Sequence, residues 1–207
     1  DQFGVEGKKV ILTFGLLSQN KGIEYMIRAM PDVVKKHPSV MYIVLGATHP
    51  HVKQAQGEEY RVGLERMARN LGVGGNIMFF NRFVELKELC EFLGSADVYV
   101  TPYLTEAQIV SGTLAYAMGV GKATVSTRYW YAEEMVGDGR GILVDFKNPQ
   151  QLAEAVNKLL EDDVLRNAMR KRAYMFSRNA VWSQVGKDYL RVFNEATAER
   201  RSRPHPV

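Results

Sequence analysis

The chain has 207 residues, of which 46% are hydrophobic and 24% charged, which is ordinary for a soluble globular protein. No apolar run approaches the roughly 18 residues that a membrane-spanning helix needs, and the N-terminus lacks the apolar core of a signal peptide. The net charge is +4 without a basic face interleaved with aromatic residues, so no nucleic acid partner is expected. The single cysteine, Cys90, excludes an intrachain disulfide and fits a reducing cytoplasm.

Short apolar runs alternate with helically spaced apolar residues about six times along the chain. The runs predict strands at 10–14, 40–45, 76–80, 98–101, 123–127 and 142–144. The helical patterns lie within 23–34, 64–71, 86–93, 114–118, 133–135, 149–159, 164–177 and 180–198. This alternation predicts an α/β fold, a doubly wound, six-stranded parallel Rossmann-like sheet with helices on both faces. We expect one domain at 1–198 and a basic flexible tail at 199–207.

Some local expectations follow from single residues. Pro31 should kink or restart the first helix. The stretch from Gly46 to Gly57 reads as a long polar loop, with its two histidines in solvent. Cys90 lies on the apolar side of its predicted helix, so a packed side chain is expected. Core packing is also expected for the large residues of the last helix: Trp182, Tyr189 and Phe193.

Polar groups converge after two strands that the common doubly wound order makes neighbours. The loop after the first strand carries Lys21, and the loop after the fourth opens a helix at Ser111-Gly112-Thr113. A helix start presents free N–H groups and the positive end of the helix dipole. An ammonium and such a helix start above one crevice predict a phosphate-binding site.

Other motifs are rejected. Gly121-Lys122 resembles the end of a phosphate loop, but Tyr116 stands where that loop needs glycine and Ala123 where it needs serine or threonine. The glycines at 137, 139 and 141 have the wrong spacing for a dinucleotide fingerprint. The four histidines form no metal-ligand pattern, so no metal and no cofactor are expected.

Several stretches, taken in their order and spacing, resemble family 4 glycosyltransferases. They are GLLSQNKG at 15–22, IMF at 77–79, DVYVTP at 97–102, AMGVGKATVST at 117–127, EMVGDG at 134–139 and GILV at 141–144. The resemblance is to the C-terminal, nucleotide-sugar-binding domain of the two-domain GT-B fold and covers about residues 9–193. It implies that an acceptor-binding domain precedes Asp1.

The resemblance implies transfer of a sugar from a nucleotide diphosphate to an acceptor, with retention of anomeric configuration. Lys21 matches the family's phosphate-binding lysine, and Ser111, Gly112 and Thr113 match the helix start that holds the distal phosphate. The other residues that the resemblance places in nucleotide-sugar binding are Gly15 in the first loop, Arg82 near the base-binding loop and Glu134 after the fifth strand.

The chain also departs from the family pattern. Leu16 stands where the family usually has arginine. Two glutamates, one at the transferred sugar and one at the ribose, are replaced by Gln108 and Tyr116. Glu106 could supply the missing carboxylate through a shifted loop, so Glu106 and Gln108 are the candidate catalytic residues. The hydroxyl of Tyr116 is the candidate ribose contact.

Three functional hypotheses stay open. The first is the nucleotide-sugar-binding half of a retaining glycosyltransferase, inactive by itself. The alternative is a non-catalytic nucleotide-sugar-binding or scaffolding module of the same fold. The third is an unrelated Rossmann-type protein. For the first we expect a cytoplasmic location, with membrane association of the full-length enzyme through an anionic membrane or a lipid-linked acceptor, since the tail carries Arg200, Arg201 and Arg203.

Overall fold

The computed structural model describes residues 3–202. Within this range six parallel strands form one sheet in the order β3-β2-β1-β4-β5-β6. The strands are β1 Val10–Phe14, β2 Met41–Leu45, β3 Ile77–Phe80, β4 Val98–Thr101, β5 Ala123–Thr127 and β6 Ile142–Val144. The helices are α1 Ile23–Lys36, α2 Pro50–Gln56, α3 Glu59–Asn70, α4 Leu86–Ser95, α5 Gly112–Gly119, α6 Trp130–Val136, α7 Pro149–Glu161, α8 Asp163–Ser177 and α9 Trp182–Ser202.

The strand order places β1 beside β4, with Ile11 opposite Val98 and Leu12 opposite Tyr99. The chain winds outward from β1 through β2 and β3, and from β4 through β5 and β6. Because all strands are parallel, their carboxyl ends share one edge, and the loops after β1 and β4 meet there. The predicted doubly wound α/β fold is confirmed.

Each face of the sheet carries its own hydrophobic core. Successive strand residues point to opposite faces, so Ile11 packs on one side and Leu12 on the other. The first core is covered by α1, α3 and α7, and the second by α4, α5 and α6. Every residue of β1, β2, β4 and β5 is buried, as expected for parallel strands covered on both faces.

In the first half of the chain the predicted long polar loop was wrong, and of the kink or restart expected at Pro31 the structure excludes the restart. Pro31 lies inside α1 and does not restart it, since the helix runs unbroken to Lys36. The stretch predicted as a polar loop contains α2. Pro50 fits its first position, where no N–H is needed, and the His49 side chain accepts a hydrogen bond from the backbone N–H of His51.

Two packing expectations were also wrong. Cys90 is exposed, because α4 turns Leu89, Phe92 and Leu93 towards the core instead. On α9 the large residues expected in the core are exposed, at 88% for Trp182, 60% for Tyr189 and 59% for Phe193. Helix α9 therefore presents an apolar face that the rest of the described chain, residues 3–202, leaves exposed.

The end of the chain bears on the predicted tail. The backbone of α9 is helical to Ser202, so the first four residues of the 199–207 stretch continue the helix. Residues 203–207 lie outside the described part of the chain. Between residues 3 and 202, no helix combines the length and the hydropathy that crossing a bilayer requires.

Candidate functional site

A polar cleft of about 530 Å³ opens at the carboxyl edge of the sheet, between the loops that follow β1 and β2 and the start of α5. Eight residues line it: Gly15, Leu16, Ser18, Gln19, Asn20, Lys21, His49 and Thr113. Lys21 and Thr113, predicted from separate loops to share one crevice, therefore face the same cleft.

The loops after β1 and β4 are locked together beneath this cleft. The backbone N–H of Leu104 donates to the carbonyl of Asn20 at 2.9 Å. Gly22 has φ of 61°, and a Cβ at this position would lie 2.0 Å from the carbonyl oxygen of Pro102. Only glycine fits this contact and this backbone conformation without a shift. The position of Lys21, one residue earlier, is thereby tied to the end of β4.

A tyrosine connects the lysine with the start of α5. The Nζ of Lys21 lies 3.9 Å from the centre of the Tyr103 ring, and the Tyr103 hydroxyl hydrogen-bonds Thr113 Oγ1 at 2.8 Å. Burial lowers the pKa of Lys21 and raises that of Tyr103. A neutral tyrosine thus holds a partly desolvated ammonium beside a helix start, where an anion would find two sources of positive charge.

The start of α5 is capped by Ser111, whose buried Oγ accepts a hydrogen bond from Leu114 N at 3.3 Å. The Ser111 hydroxyl also lies 3.2 Å from Thr113 Oγ1. Capping leaves the N–H groups of Gly112 and Thr113, in the first turn, without intrahelical acceptors. Thr113 lines the polar cleft, Gly112 lines the apolar cavity beside it, and Ser111 lines neither space.

The ends of β1 and β2 approach each other closely at the floor of the cleft. A Cβ on Gly46 would lie 2.0 Å from the Gly15 carbonyl oxygen, and a Cβ on Gly15 would lie 3.2 Å from Thr113 Cγ2. Both glycines have positive φ, 128° for Gly15 and 144° for Gly46. The absence of a side chain at Gly15 therefore allows the end of β1 to lie close to the start of α5.

An apolar cavity of about 460 Å³ adjoins the polar cleft and shares Gly15, Leu16 and Thr113 with it. The other residues that line it come from β1, β2 and the loop after it, the loop between β3 and α4, α4 itself, and α5: Phe14, Leu45, Gly46, Ala47, Arg82, Phe83, Val84, Glu85, Leu86, Leu89, Gly112 and Tyr116. Tyr116 is 49% exposed at its rim. Together the two spaces can take a molecule with an anionic group at one end and a flat ring at the other.

Arg82 lies at the rim of the apolar cavity and is paired with Glu88. Its Nη1 donates to Glu88 Oε2 at 2.8 Å, and its Nη2 contacts the second carboxylate oxygen. This bidentate pair fixes the guanidinium beside the cavity and neutralises its charge. Arg82 can therefore pack against a ring in the cavity while its Nη1 and Nη2 groups remain bound to Glu88.

Besides Ser111, which caps α5, three candidate residues lie outside both spaces. Glu106 and Gln108 belong to the loop before α5, whose carbonyls accept hydrogen bonds from the backbone N–H groups of Trp130 and Tyr131 at 3.0 and 3.1 Å. The Gln108 side chain donates to the carbonyl of Val110 at 2.9 Å. Glu134 is exposed on α6. None of the three side chains lines the polar cleft or the apolar cavity.

Sequence reasoning missed two residues of the site. His49 was expected in a solvated loop but lines the polar cleft. Tyr103 received no role, yet it is buried beneath Lys21. Its place directly after Pro102 at the end of β4 was the available signal. For the part of the chain that the structure describes, no group of three His, Cys, Asp or Glu side chains could hold a metal ion.

The rejected Gly121-Lys122 motif is structural. The Nζ of Lys122 is buried and donates to the carbonyl oxygens of Ala96 at 2.7 Å and Gly94 at 3.2 Å. Burial lowers the pKa of Lys122 to about 8. This lysine joins the start of β5 to the end of α4 and takes no part in the cleft.

Known proteins share this chain's sequence pattern. A family model described as glycosyl transferases group 1 matches residues 1–176. Spore coat protein SA of Bacillus subtilis (strain 168) is 26% identical over 198 residues, which are 94% of this chain and 51% of that protein. The chain thus spans about half the length of the curated relatives it matches.

Solved structures share its fold. The C-terminal domain of a glycosyl transferase group 1 family protein, LpcC of Francisella tularensis, matches with a TM-score of 0.68 and 21% identity over 81% of this chain and 82% of that one. Anabaena HepE in complex with UDP matches with a TM-score of 0.79 and 21% identity over 95% of this chain and 50% of that one. The resemblance to the C-terminal domain of GT-B glycosyltransferases is confirmed: this chain belongs to the glycosyl transferases group 1 family.

Proposed function

We propose that this chain is the nucleotide-sugar-binding domain of a retaining glycosyltransferase, whose full-length form moves a sugar from a nucleotide diphosphate to an acceptor. One observation carries the proposal. The Lys21 ammonium and the start of α5 face one cleft, next to an apolar cavity of a size suited to a nucleoside. The related fold of Anabaena HepE was solved with UDP, which supports a nucleoside diphosphate as the ligand.

The chemistry of glycosyl transfer explains why these groups are needed. Negative charge builds on the diphosphate as the bond to the sugar breaks. Positive groups that are fixed in place before the reaction stabilise this charge, and losing one such group typically costs on the order of 10²–10³ in rate. Lys21 would supply a full charge, and the N–H groups of Gly112 and Thr113 would supply oriented dipoles.

The remaining candidate residues extend this assignment outward from the phosphates. The base would enter the apolar cavity beside Arg82, with the ribose near the Tyr116 hydroxyl. The sugar would lie against the loop that carries Glu106 and Gln108, because that loop leads directly into the start of α5. Glu134 lies on the neighbouring helix α6, and it would contact the sugar where the sugar extends beyond the polar cleft.

The exposed face of α9 supports a second, acceptor-binding domain in the full-length protein. Helix α9 exposes Trp182, Tyr189 and Phe193, and this chain covers 51% of spore coat protein SA. Burying such a face against another domain removes apolar surface from water, which is favourable. We propose that the N-terminal domain packs against this face of α9. We further propose that the full-length enzyme is cytoplasmic, uses no metal, and binds a lipid-linked acceptor or an anionic membrane.

A thermal-shift panel tests the proposal. The 207-residue chain is melted with nucleosides, nucleoside diphosphates and nucleotide-sugars that differ in base and sugar. Ligands that bind the folded state raise the midpoint. We expect the nucleoside diphosphate and the nucleotide-sugars of one base to raise the midpoint more than the nucleoside of that base does. We also expect no sugar transfer by this chain alone. No shift with any diphosphate, or turnover by the isolated chain, would contradict the proposal.

A non-catalytic binding module is the second candidate. It is favoured by Gln108 and Tyr116, which stand where the family has carboxylates, and by the absence of the Glu106 side chain from the cleft lining. The full-length protein decides between the two. Slow hydrolysis of the nucleotide-sugar without an acceptor supports an enzyme, whereas tight binding without hydrolysis or transfer supports a module.

A further inference from the structure

His49 lines the polar cleft together with Lys21 and Thr113, although it comes from a third loop, after β2. We propose that the His49 imidazole is a further phosphate-binding group that donates a hydrogen bond from Nε2 to the diphosphate. The inference rests on the proposed function, since it assumes that the cleft holds a nucleoside diphosphate. It adds a residue, and a third segment of chain, to the site.

The backbone of His49 is fixed against the loop that carries Lys21. The His49 N–H donates to the carbonyl of Leu17 at 2.8 Å, and the Leu17 N–H donates to the carbonyl of Ala47 at 2.9 Å. Leu17 and Thr48 form a parallel bridge. These hydrogen bonds join the loops after β1 and β2, and they fix the position of His49 relative to the loop that carries Lys21.

The hydrogen bonds of the imidazole decide which nitrogen faces a ligand. His49 Nδ1 accepts from the backbone N–H of His51 at 3.3 Å. In a neutral ring, a Nδ1 that accepts a hydrogen bond leaves the proton on Nε2. The ring also stacks on His51, with 5.4 Å between ring centres. Among the described residues no acceptor engages His49 Nε2–H, so this nitrogen is free to donate a hydrogen bond to a ligand in the cleft that His49 lines.

The segment around His49 is held from behind by buried and bridging contacts. The buried Thr48 hydroxyl donates to Glu58 Oε2 at 2.6 Å, and Arg61 Nε donates to the same oxygen at 2.9 Å. The Gln19 side chain donates to Gln56 at 3.0 Å, which ties the end of α2 to the turn of Lys21. These bonds hold the wall in place before any ligand arrives, and preorganisation of this kind lowers the cost of binding.

The test compares His49→Ala with His49→Gln, which keeps an N–H donor, and with Gln54→Ala on the exposed side of α2 as the control. Titration calorimetry on the 207-residue chain gives the Kd of a nucleoside diphosphate and of its parent nucleoside. His49→Ala should weaken the diphosphate about tenfold, the effect of one hydrogen bond to a charged group, and leave the nucleoside unchanged. His49→Gln should restore part of the loss, and Gln54→Ala should behave as wild type.

A second measurement needs no variant. Proton–nitrogen spectra of the imidazole rings in the wild-type chain should show His49 protonated on Nε2. The diphosphate should shift that signal, and the nucleoside should not. Unchanged diphosphate affinity in His49→Ala, equal losses for both ligands, or an unmoved Nε2 signal would overturn the role of His49 while leaving the proposed function standing. Failure of the wild-type chain to bind any diphosphate would overturn both.

Discussion

The ammonium of Lys21 lies 3.9 Å from the centre of the Tyr103 ring, although the two residues belong to loops after different strands. Tyr103 is itself anchored. Its carbonyl accepts a 2.6 Å hydrogen bond from Thr127 Oγ1, and its ring stacks on Tyr129 at 5.5 Å. A contact between a cation and an aromatic face contributes about 0.5–2 kcal/mol. The tyrosine therefore positions the lysine over the cleft before a ligand binds.

Gly22 should be intolerant of a side chain. Gly22→Ala places a Cβ 2.0 Å from the Pro102 carbonyl at positive φ, so we expect a loss of about 1–3 kcal/mol in the free energy of unfolding and weaker diphosphate binding. Gly63→Ala is the control, because Gly63 lies in α3 and an added Cβ would have no atom within 4 Å apart from its own helix backbone and chain neighbours. It should stabilise the chain by about 0.5–1 kcal/mol. Urea denaturation measures both, and equal effects would contradict the tight contact between loops.

Helix α9 should contribute little to the stability of this domain alone. Phe193→Ala should change the free energy of unfolding by less than about 0.5 kcal/mol, because the ring is 59% exposed. Phe92→Ala, at a residue with 0% exposure, should cost about 3–5 kcal/mol. The comparison is made by denaturation of the 207-residue chain. A cost for Phe193→Ala near that of Phe92→Ala would mean that α9 packs on this domain after all.

The strand order and the meeting of Lys21 with Thr113 could be predicted because both follow from the chain's pattern. Buried apolar runs identify strands, and parallel connectivity places the loops after β1 and β4 at one edge. The exposure of Phe193 could not be predicted in this way, because an apolar stripe shows that a helix has a packing face but not which domain covers it.

The positions of His49 and Tyr103 could not be predicted because they depend on loop conformation. His49 reaches the cleft through the bridge between Leu17 and Thr48, a contact that no local periodicity signals. The same limit applies to Glu106 and Gln108. Their side chains follow the path of the loop, and the hydrogen bonds of that loop to α6 hold both away from the cleft lining.

Diphosphate binding should depend on pH through Lys21. Burial lowers the pKa of Lys21 below its usual 10.5, so the free protein loses this charge at a lower pH than an exposed lysine does. A bound diphosphate favours the charged form and raises the pKa again. Binding should therefore take up protons in the alkaline range, and affinity should fall as pH rises above the pKa of the free protein.

Calorimetry in two buffers of different ionisation enthalpy measures this proton uptake. Lys122, with a pKa of about 8, titrates in the same range but lies away from the cleft. The variant Lys21→Ala separates the two lysines, because it should abolish the uptake. Equal uptake in the wild type and in Lys21→Ala would assign the effect to another group.

Tyr116 should act on the nucleoside part of the ligand. Tyr116→Ala removes a wall of the apolar cavity, so we expect several-fold weaker binding of the nucleoside and of its diphosphate by the same factor. Tyr189→Ala, on the exposed face of α9, is the control and should leave both affinities unchanged. If Tyr116→Ala weakened binding of the diphosphate but not of the nucleoside, Tyr116 would contact the phosphates and not the nucleoside.

The central claim is that Lys21 binds the diphosphate and not the nucleoside. It is tested by titrating Lys21→Ala with the nucleoside diphosphate that stabilises the wild-type chain most, and with its parent nucleoside; Lys171→Ala, on the exposed side of α8, is the control. We expect diphosphate affinity to fall about 10- to 100-fold, as for loss of a charged hydrogen bond, with nucleoside affinity unchanged. Equal losses for the two ligands, or no loss for either, would contradict the account.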